Sequence, residues 1–383
     1  MRMTSLLTAT LLTGTVALTS APLAAYDVAG MRDAMHSVFN SMQTLLDLST
    51  DPVQLAAPAN RTTILHAAFE LEEQASIISA HVPRDEISFL ASSLDRYARW
   101  IRKSYEWRLY DDTRQLVHAT VNVCIACHTR VTSRRDSPFA EDFINSARIG
   151  ALPLRQRVKL QTATRRFDDA LGGYAMLVEQ AVGDEDFVQL ARDYLVLALR
   201  VKVDPRRARD LLEALLKRPK LAGERRERVI AWVRSLEQLS KLPVSEADLA
   251  SAQRLVEQAE NVADIPSTDS LVYYIVASRL LYDYLENSQD RASNNQGTAG
   301  DGAKAYYLLG LTQHRIDPEA WLPQSELYLE KSIRTAPASQ HARKAFELLS
   351  NKMRRTYPVA KGGMPRDVRD HLMMLQDMVS IPG

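Results

Sequence analysis

Apolar residues recur at intervals of three and four along most of the chain, which is the spacing of one face of an α-helix. In the N-terminal part this pattern predicts four helices of roughly 20 residues, separated by short polar or proline-containing breaks. They are expected at about 28–48, 61–81, 85–109 and 111–131. Asn60 stands where it would cap the second helix, and Asp111 and Asp112 suit the start of the fourth. Four such helices with short links predict an antiparallel bundle.

The rest of the chain carries the same spacing in shorter segments joined by short links. Helices are expected at 155–182 (broken near Gly172 and Gly173), 185–202, 205–217, 223–242, 245–262, 267–287, 302–315, 318–335, 339–357 and 365–379. Stacked hairpins of this kind predict an α-solenoid, with a compact all-helical domain as the alternative. Glycine is scarce, with 14 residues in 383, and alternating β-branched runs are absent, so the whole chain is expected to be all-α.

One pair of these segments resembles a tetratricopeptide repeat. The run 305–311 (Ala-Tyr-Tyr-Leu-Leu-Gly-Leu) is similar to the first helix of such a repeat, and the run 328–333, closed by Pro337, is similar to the second. Small residues would let the two helices approach closely, while larger ones fill the remaining gap. The small residues are Gly310, Ser325 and Ser332, and the larger ones are Tyr306 and Leu329. A tyrosine group nearby either lines a concave peptide site or packs between helices. Its members are Tyr273, Tyr274, Tyr282 and Tyr284.

Charge and residue types exclude several classes of function. The sequence has 48 Lys and Arg against 47 Asp and Glu, a formal net charge of +1. Such an even balance provides no field that would attract nucleic acid or an anionic membrane, and no nucleic-acid partner is expected. No nucleophile–base arrangement or phosphate-binding loop stands out, so no catalytic residues are predicted and the protein is not expected to be an enzyme.

The first 25 residues have the three-part layout of a secretory signal peptide. A short start containing Arg2 is followed by an apolar stretch at 6–18 and by small residues at 21–25, which predicts cleavage after Ala25. An uncleaved membrane anchor is the alternative. No later stretch reaches the length of a membrane span, so none is expected after cleavage. We therefore expect an exported protein, most naturally in a bacterial periplasm.

The candidate chemistry lies in the pentapeptide Cys124-Ile125-Ala126-Cys127-His128, which contains the only two cysteines of the chain. The Cys-x-x-Cys-His pattern is typical of the attachment site of a c-type haem. Each thiol forms a thioether bond to the haem, and the imidazole binds the iron. On a helix the three side chains stand at i, i+3 and i+4 and share one face. The sequence therefore predicts one covalently bound haem c, held by Cys124 and Cys127, with His128 as an axial iron ligand.

Other uses of the two cysteines fit the sequence less well. A thioredoxin-like redox pair belongs in a βαβ setting, and no strand pattern surrounds this one. A structural zinc ion usually takes four ligands from two such pairs, and the chain has no second pair. A disulfide between positions three apart would not require the histidine. Haem attachment is also compatible with export.

Residues 26–135 resemble cytochrome c′ and its six-coordinate, low-spin relatives. The resemblance rests on the four predicted helices, on one Cys-x-x-Cys-His late in the fourth, and on Arg32-Asp33-Ala34-Met35, which matches an Arg-x-x-Met element of that family's first helix. It implies that Met35 is the sixth iron ligand and that Arg32 lies near the haem propionates. Core packing is the alternative for Met35, because methionine commonly fills helical cores. His36 is a further candidate ligand, about 100° away around the helix.

The sequence departs from that family just after the motif. Cytochromes c′ usually place an aromatic and then a basic residue at the third and fourth positions after the haem histidine, whereas Val131 and Thr132 stand there in this chain. The nearby basic residues are Arg130, Arg134 and Arg135. They are expected to form a solvated helix end, where cations are favoured, with a propionate or a partner as the alternative contact.

These observations predict a periplasmic monohaem cytochrome that transfers single electrons. Its helical-repeat region is expected to dock a protein or peptide partner. The expected partners are a redox protein and, by the resemblance, a second copy of the chain. A five-coordinate haem protein that binds or senses NO or CO is one alternative, and a scaffold or assembly factor of a periplasmic complex is another. The predicted divisions are a signal peptide (1–25), a haem domain (26–135), a linker (136–153), a tetratricopeptide-like domain (154–358) and a tail with a short helix (359–383).

Overall fold

The computed structural model describes residues 28–82, 88–130, 150–242, 248–261, 270–287, 298–317, 324–358 and 363–380. Every regular element in these ranges is helical, which confirms the all-α class for the described part of the chain. The N-terminal helices are α1 (Val28–Ser49), α2 (Pro52–Ala56), a short 3₁₀ helix (Pro58–Asn60), α3 (Arg61–His81), α4 (Ser88–Glu106) and α5 (Tyr110–His128). The others are α6 (Leu154–Ala163), α7 (Phe167–Gln180), α8 (Phe187–Val196) with a π-helical turn (Leu197–Val201), α9 (Pro205–Leu216), α10 (Gly223–Leu239), α11 (Leu249–Asn261), α12 (Leu271–Glu286), α13 (Ala299–Ile316), α14 (Gln324–Thr335), α15 (Gln340–Thr356) and α16 (Arg366–Ser380).

The four long N-terminal helices share one apolar core. Helix α1 packs on α3, α3 on α4 and α4 on α5, and α1 also contacts α5. Side chains such as Leu45, Leu71 and Ile101 are fully buried there. The same core includes Leu160 and Ala163 of α6, because α6 packs against α5. The C-terminal end of α6 therefore lies beside the helix that carries the Cys-x-x-Cys-His motif.

The helices that follow pack mainly on their neighbours in the sequence, as in α6 on α7, α11 on α12 and α13 on α14. Their buried side chains form a continuous second core around α12, in which every residue from Leu271 to Leu285 is buried. The tyrosine group of this region belongs to the second core. Its members, Tyr273, Tyr274, Tyr282 and Tyr284, are all buried. The alternative that they line a peptide-binding surface is therefore wrong.

The break expected near Gly172 and Gly173 lies elsewhere. Both glycines are inside α7, and the chain instead turns between α6 and α7, where Arg165 adopts a left-handed backbone with φ of 62°. Gly173 serves close packing, because a Cβ atom there would overlap the side chain of Val158 on α6. The capping role predicted for Asn60 is also wrong. Its side chain makes no cap and its amide Nδ2 donates instead to the carbonyl of Gln54, at 2.9 Å.

The close approach predicted for the 305–311 and 328–333 segments is confirmed. A Cβ atom on Gly310 would lie 2.8 Å from Leu329 Cδ2 and 3.1 Å from the Leu329 backbone nitrogen. The hydroxyl of Ser325 donates to the Gly310 carbonyl at 2.8 Å, and that of Ser332 donates to the Ala303 carbonyl at 2.7 Å. Small residues thus let α13 and α14 touch almost backbone to backbone.

The close contact between α13 and α14 can be tested by Gly310→Ala, with Gly172→Ala as the matched control. Alanine is favoured over glycine within a helix by about 1 kcal/mol, so Gly172→Ala, whose Cβ has open space, is expected to raise the melting temperature or leave it unchanged. Gly310→Ala is expected to lower the free energy of unfolding by about 1–3 kcal/mol, because the overpacked methyl group separates α13 from α14. Thermal and denaturant unfolding of both variants checks this. Equal effects at the two positions would contradict the close contact.

No helix in the described ranges combines the length and the hydropathy that a membrane span requires. The predicted signal peptide, 1–25, lies outside the described residues, as does most of the predicted linker. The predicted domain limits stay predictions.

Candidate functional site

Cys124, Cys127 and His128 occupy the last turn of α5, which ends at His128. Their spacing puts the three side chains on one face of that turn. Both cysteines are free thiols, half-buried, and they pack against the N-terminal core. The motif is thus presented by a regular helix whose other faces are held by neighbouring helices.

The two thiols lie in surroundings that suppress ionisation. Burial raises the pKa of Cys124 to about 12, and the neighbouring thiol of Cys127 raises it further. Burial also raises the pKa of Cys127, to about 11. A redox-active Cys-x-x-Cys pair has the opposite property, because its attacking thiol needs a lowered pKa to form a thiolate. The environment of the pair therefore disfavours the disulfide-exchange alternative.

His128 is held by a hydrogen bond that crosses to another helix. Its Nδ1 atom lies 2.6 Å from the carbonyl oxygen of Ala163, the last residue of α6. A carbonyl can only accept, so Nδ1 carries the proton and Nε2 keeps a free electron pair. Burial lowers the pKa of His128 to about 4, so the imidazole is neutral at neutral pH. Metal-binding histidines are commonly fixed in this way, with one ring nitrogen donating to a carbonyl and the other facing the metal.

Met35 and Arg32, the two residues of α1 that are predicted to contact the haem, have different surroundings. Met35 is half-buried and packs against the same core as Cys124 and Cys127, while Arg32, one turn earlier, is exposed. The structure thus brings Met35 and the two cysteines to one core, and α1 and α5 are in contact. His36 is half-buried beside Met35. The assignments of Met35 as sixth ligand and Arg32 as propionate contact stay predictions.

Arg130 does not belong to a solvated helix end, so that part of the sequence prediction is wrong. Its side chain is 7% exposed, and its Nη1 donates to the hydroxyl of Tyr328 on α14 at 2.9 Å. The guanidinium carbon lies 5.4 Å from the ring centres of Phe89 and Tyr328 and 5.5 Å from that of Tyr282. Aromatic faces and one hydroxyl replace water around this cation, which joins the end of α5 to the helices of the second core.

The residues of the motif fit a covalently bound haem. They provide two adjacent thiols and a neutral imidazole with a defined tautomer on one face of a helix. Within the described ranges, no three His, Cys, Asp or Glu side chains gather into a cluster that could hold a bare metal ion. Two thiols and one neutral imidazole are the groups that a protein provides to a covalently bound porphyrin, which brings the other ligands of its iron itself.

The sequence does not predict the contact of His128 with the Ala163 carbonyl, which lies 35 residues away along the chain. Nothing in the sequence marks it, because any residue at the end of a helix offers an unpaired carbonyl. Val131, Thr132, Arg134 and Arg135 lie outside the described residues, so the predictions made for them stay predictions.

Comparison of the chain with protein-family models, with characterised proteins and with solved structures gives no match. The function of the site therefore has to follow from its own residues and their contacts. The most informative of these are the motif, the tautomer of His128 and the environment of the thiols.

Proposed function

We propose that the protein is an exported, periplasmic c-type cytochrome that carries one haem and transfers single electrons. Cys124 and Cys127 would hold the haem by thioether bonds, and His128 would be an axial ligand of the iron. The observation that supports this most strongly is the hydrogen bond from His128 Nδ1 to the carbonyl of Ala163. It leaves the other ring nitrogen, Nε2, unprotonated and so able to bind a metal.

The proposal extends to the helices around the motif. Helices α1, α3, α4 and α5 would form an antiparallel four-helix haem bundle similar to cytochrome c′ and its low-spin relatives. The later helices would form a tetratricopeptide-like solenoid, which is supported by the packing of successive helices and by the Gly310 contact. Stacked helix pairs present extended concave surfaces that bind proteins, so we assign the docking of the redox partner to this part.

Each residue of the site has a distinct role in this proposal. The lowered pKa of His128 keeps its imidazole unprotonated and ready to bind a metal. The core against which Cys124 and Cys127 pack would cover one edge of the attached haem. When bound, the haem supplies a one-electron iron couple. Met35 would help to hold the iron through its thioether sulfur, a ligand type that raises the reduction potential and favours electron transfer over the binding of small ligands.

Intact-mass measurement of the exported protein tests the proposal directly. The protein is made in a host that has the haem-attachment machinery, and its mass is expected to exceed that of the mature polypeptide by one haem. Its reduced absorption spectrum is expected to be that of a low-spin c-type haem. A mature protein that carries no haem mass would refute the cytochrome assignment.

We expect Met35→Leu to convert the haem from six-coordinate to five-coordinate without loss of covalent attachment. The side chain keeps its apolar bulk but loses the sulfur ligand, so the reduction potential falls by on the order of 0.1 V, within the roughly 0.8 V range set by axial ligands. Absorption spectra and redox titration measure both effects. Carbon monoxide should then bind the reduced variant much more readily than the unmodified protein.

Met42→Leu is the matched control for that substitution. Met42 lies on the same helix and is buried in the core, two turns further on. Its replacement is a volume-conserving change that is expected to leave the spectrum unaltered. An unmodified protein that is already high-spin and five-coordinate would exclude Met35 as a ligand and favour the gas-binding alternative.

A further inference from the structure

A polar cavity of about 430 Å³ lies where α5 meets the second group of helices. It is lined by side chains of α5, α6, α7, α8, α13, α14 and α15 and of the segments that adjoin them. Asn122, Ile125 and Ala126 of α5, together with Thr129 just after its end, line the cavity. They lie on the other side of the helix from Cys124, Cys127 and His128. The cavity is therefore separate from the haem-attachment face, and its volume falls in the range of small-molecule sites.

The described residues that line the cavity carry an excess of positive charge. The cations are Arg130, Lys159, Arg192, Arg200 and Lys352, and the anions are Asp193 and Asp317. Five positive charges and two negative charges give the lining a balance of 5 − 2 = +3. Glu326, which pairs with Lys352 at 3.2 Å, reduces the local balance to +2. This contrasts with the near-neutral chain as a whole, whose formal net charge is +1.

The two carboxylates of the cavity are already engaged. Asp193 accepts a hydrogen bond from Gln189 Nε2 at 2.9 Å, and Asp317 lies 3.6 Å from the guanidinium of Arg192. Asp193 also interacts with the charges of Lys159 and Arg192, so the two carboxylates compensate that part of the cavity and not Arg200. Burial lowers the pKa of Arg200, and the nearby charge of Arg130 lowers it further. The positive charge of Arg200 is therefore poorly compensated by the other groups of the protein.

Several side chains of the cavity, Arg200 and Gln313 among them, also have hydrogen-bond donors without a partner among the described residues. Arg200 and Gln313 are each 7% exposed. Arg200 Nε donates to Ser278 at 3.0 Å, but its Nη2 atom has no hydrogen-bond partner among the described residues, and neither has Nε2 of Gln313. Leaving such groups buried and unsatisfied costs free energy, and native proteins rarely do so without a reason. An acceptor brought by a ligand would satisfy both.

We propose that this cavity is a binding site for a small organic oxyanion, a molecule with carboxylate or phosphate groups on a short carbon skeleton. The excess of cations and the two unused donors select an anionic acceptor. The volume exceeds what a single inorganic ion fills, and the apolar side chains of Ile125, Val196 and Leu197 suit the carbon skeleton. The site does not depend on the haem, so the two proposals stand or fall separately.

Calorimetric titration of the full chain as purified, whether or not it carries haem, with citrate tests this proposal, with sodium chloride used to hold the ionic strength constant. We expect saturable binding with one site per chain. In Arg200→Met the Kd is expected to be about tenfold higher or more, since a hydrogen bond to a charged group is lost. Exchange of a buried cation for an apolar side chain of similar length should not unfold the protein.

Arg218→Met is the matched control, because it removes the same charge from an exposed position where Arg218 pairs with Glu179. It is expected to bind citrate as the unmodified protein does. If Arg200→Met does not fold, Gln313→Leu removes the second donor without a change of charge and should raise the Kd several-fold. Absence of saturable binding to the unmodified protein, or equal weakening in Arg200→Met and Arg218→Met, would overturn the proposal.

Discussion

The variant Cys124→Ala/Cys127→Ala is expected to leave its host without any covalently bound haem. Both thioether bonds that we propose require these sulfur atoms, and the chain has no other cysteine. The expected loss is complete, since no side chain can replace a thiol in that bond. Denaturing electrophoresis with haem staining, together with intact-mass measurement, checks the result against the unmodified protein.

Two controls accompany the double variant: the single replacement Cys124→Ala and a measurement of helix content. Cys124→Ala alone keeps Cys127 and His128, so it is expected to retain some haem through one bond, at reduced yield. Circular dichroism should show that the double variant is still helical, because both cysteines are only half-buried at the edge of the core. A folded double variant that still carried the full haem mass would disprove attachment through these two residues.

Replacement of Arg130 by alanine is expected to lower the free energy of unfolding by about 2–3 kcal/mol. The guanidinium packs against the rings of Phe89, Tyr282 and Tyr328 and donates to the Tyr328 hydroxyl. Cation–aromatic contacts in a buried site are worth up to roughly 2 kcal/mol, and a buried hydrogen bond adds about 1 kcal/mol. Relief of the repulsion between Arg130 and Arg200 offsets part of this loss. Denaturant unfolding measures the difference.

Two further variants separate the hydrogen bond of Arg130 from its contacts with the aromatic rings. Tyr328→Phe keeps the ring and removes only the hydroxyl, so a loss of about 1 kcal/mol is expected. Arg114→Ala removes an arginine from a partly exposed position of the same helix, where its ion pair with Asp111 at 3.5 Å is worth little. Its effect should stay within about 0.5 kcal/mol. A loss for Arg130→Ala as small as that for Arg114→Ala would show that the aromatic contacts do not stabilise the fold.

The helices themselves were largely predictable from the sequence. Helices α1 and α3 begin and end at or within one residue of the expected limits, because amphipathic spacing and clear breaks such as the proline-rich 51–58 segment define them. The pair Gly172-Gly173 predicts a break that the structure does not contain, because a glycine inside a helix can also serve close packing. Gly173 is needed for contact with Val158, while the true turn at Arg165 contains neither glycine nor proline.

Of the candidate site, the sequence predicts the Cys-x-x-Cys-His motif but not the contacts that the motif makes with distant residues. A five-residue pattern places Cys124, Cys127 and His128, but the hydrogen bond to Ala163 and the contact between Arg130 and Tyr328 span 35 and 198 residues. Such contacts depend on how whole helices pack, which spacing along the chain does not reveal. Arg130 was misassigned because a cation at a helix end is usually solvated, and the aromatic rings that enclose it come from distant helices.

The hydrogen bond between His128 and Ala163 bears on how the protein can be dissected. The Cys-x-x-Cys-His motif lies on α5, whereas the acceptor that fixes its imidazole belongs to α6, a helix outside residues 26–135. A fragment cut after residue 135 would keep every residue of the motif but would lose the group that orients the ring. A fragment intended to keep the orientation of this imidazole has to include α6, to at least residue 163.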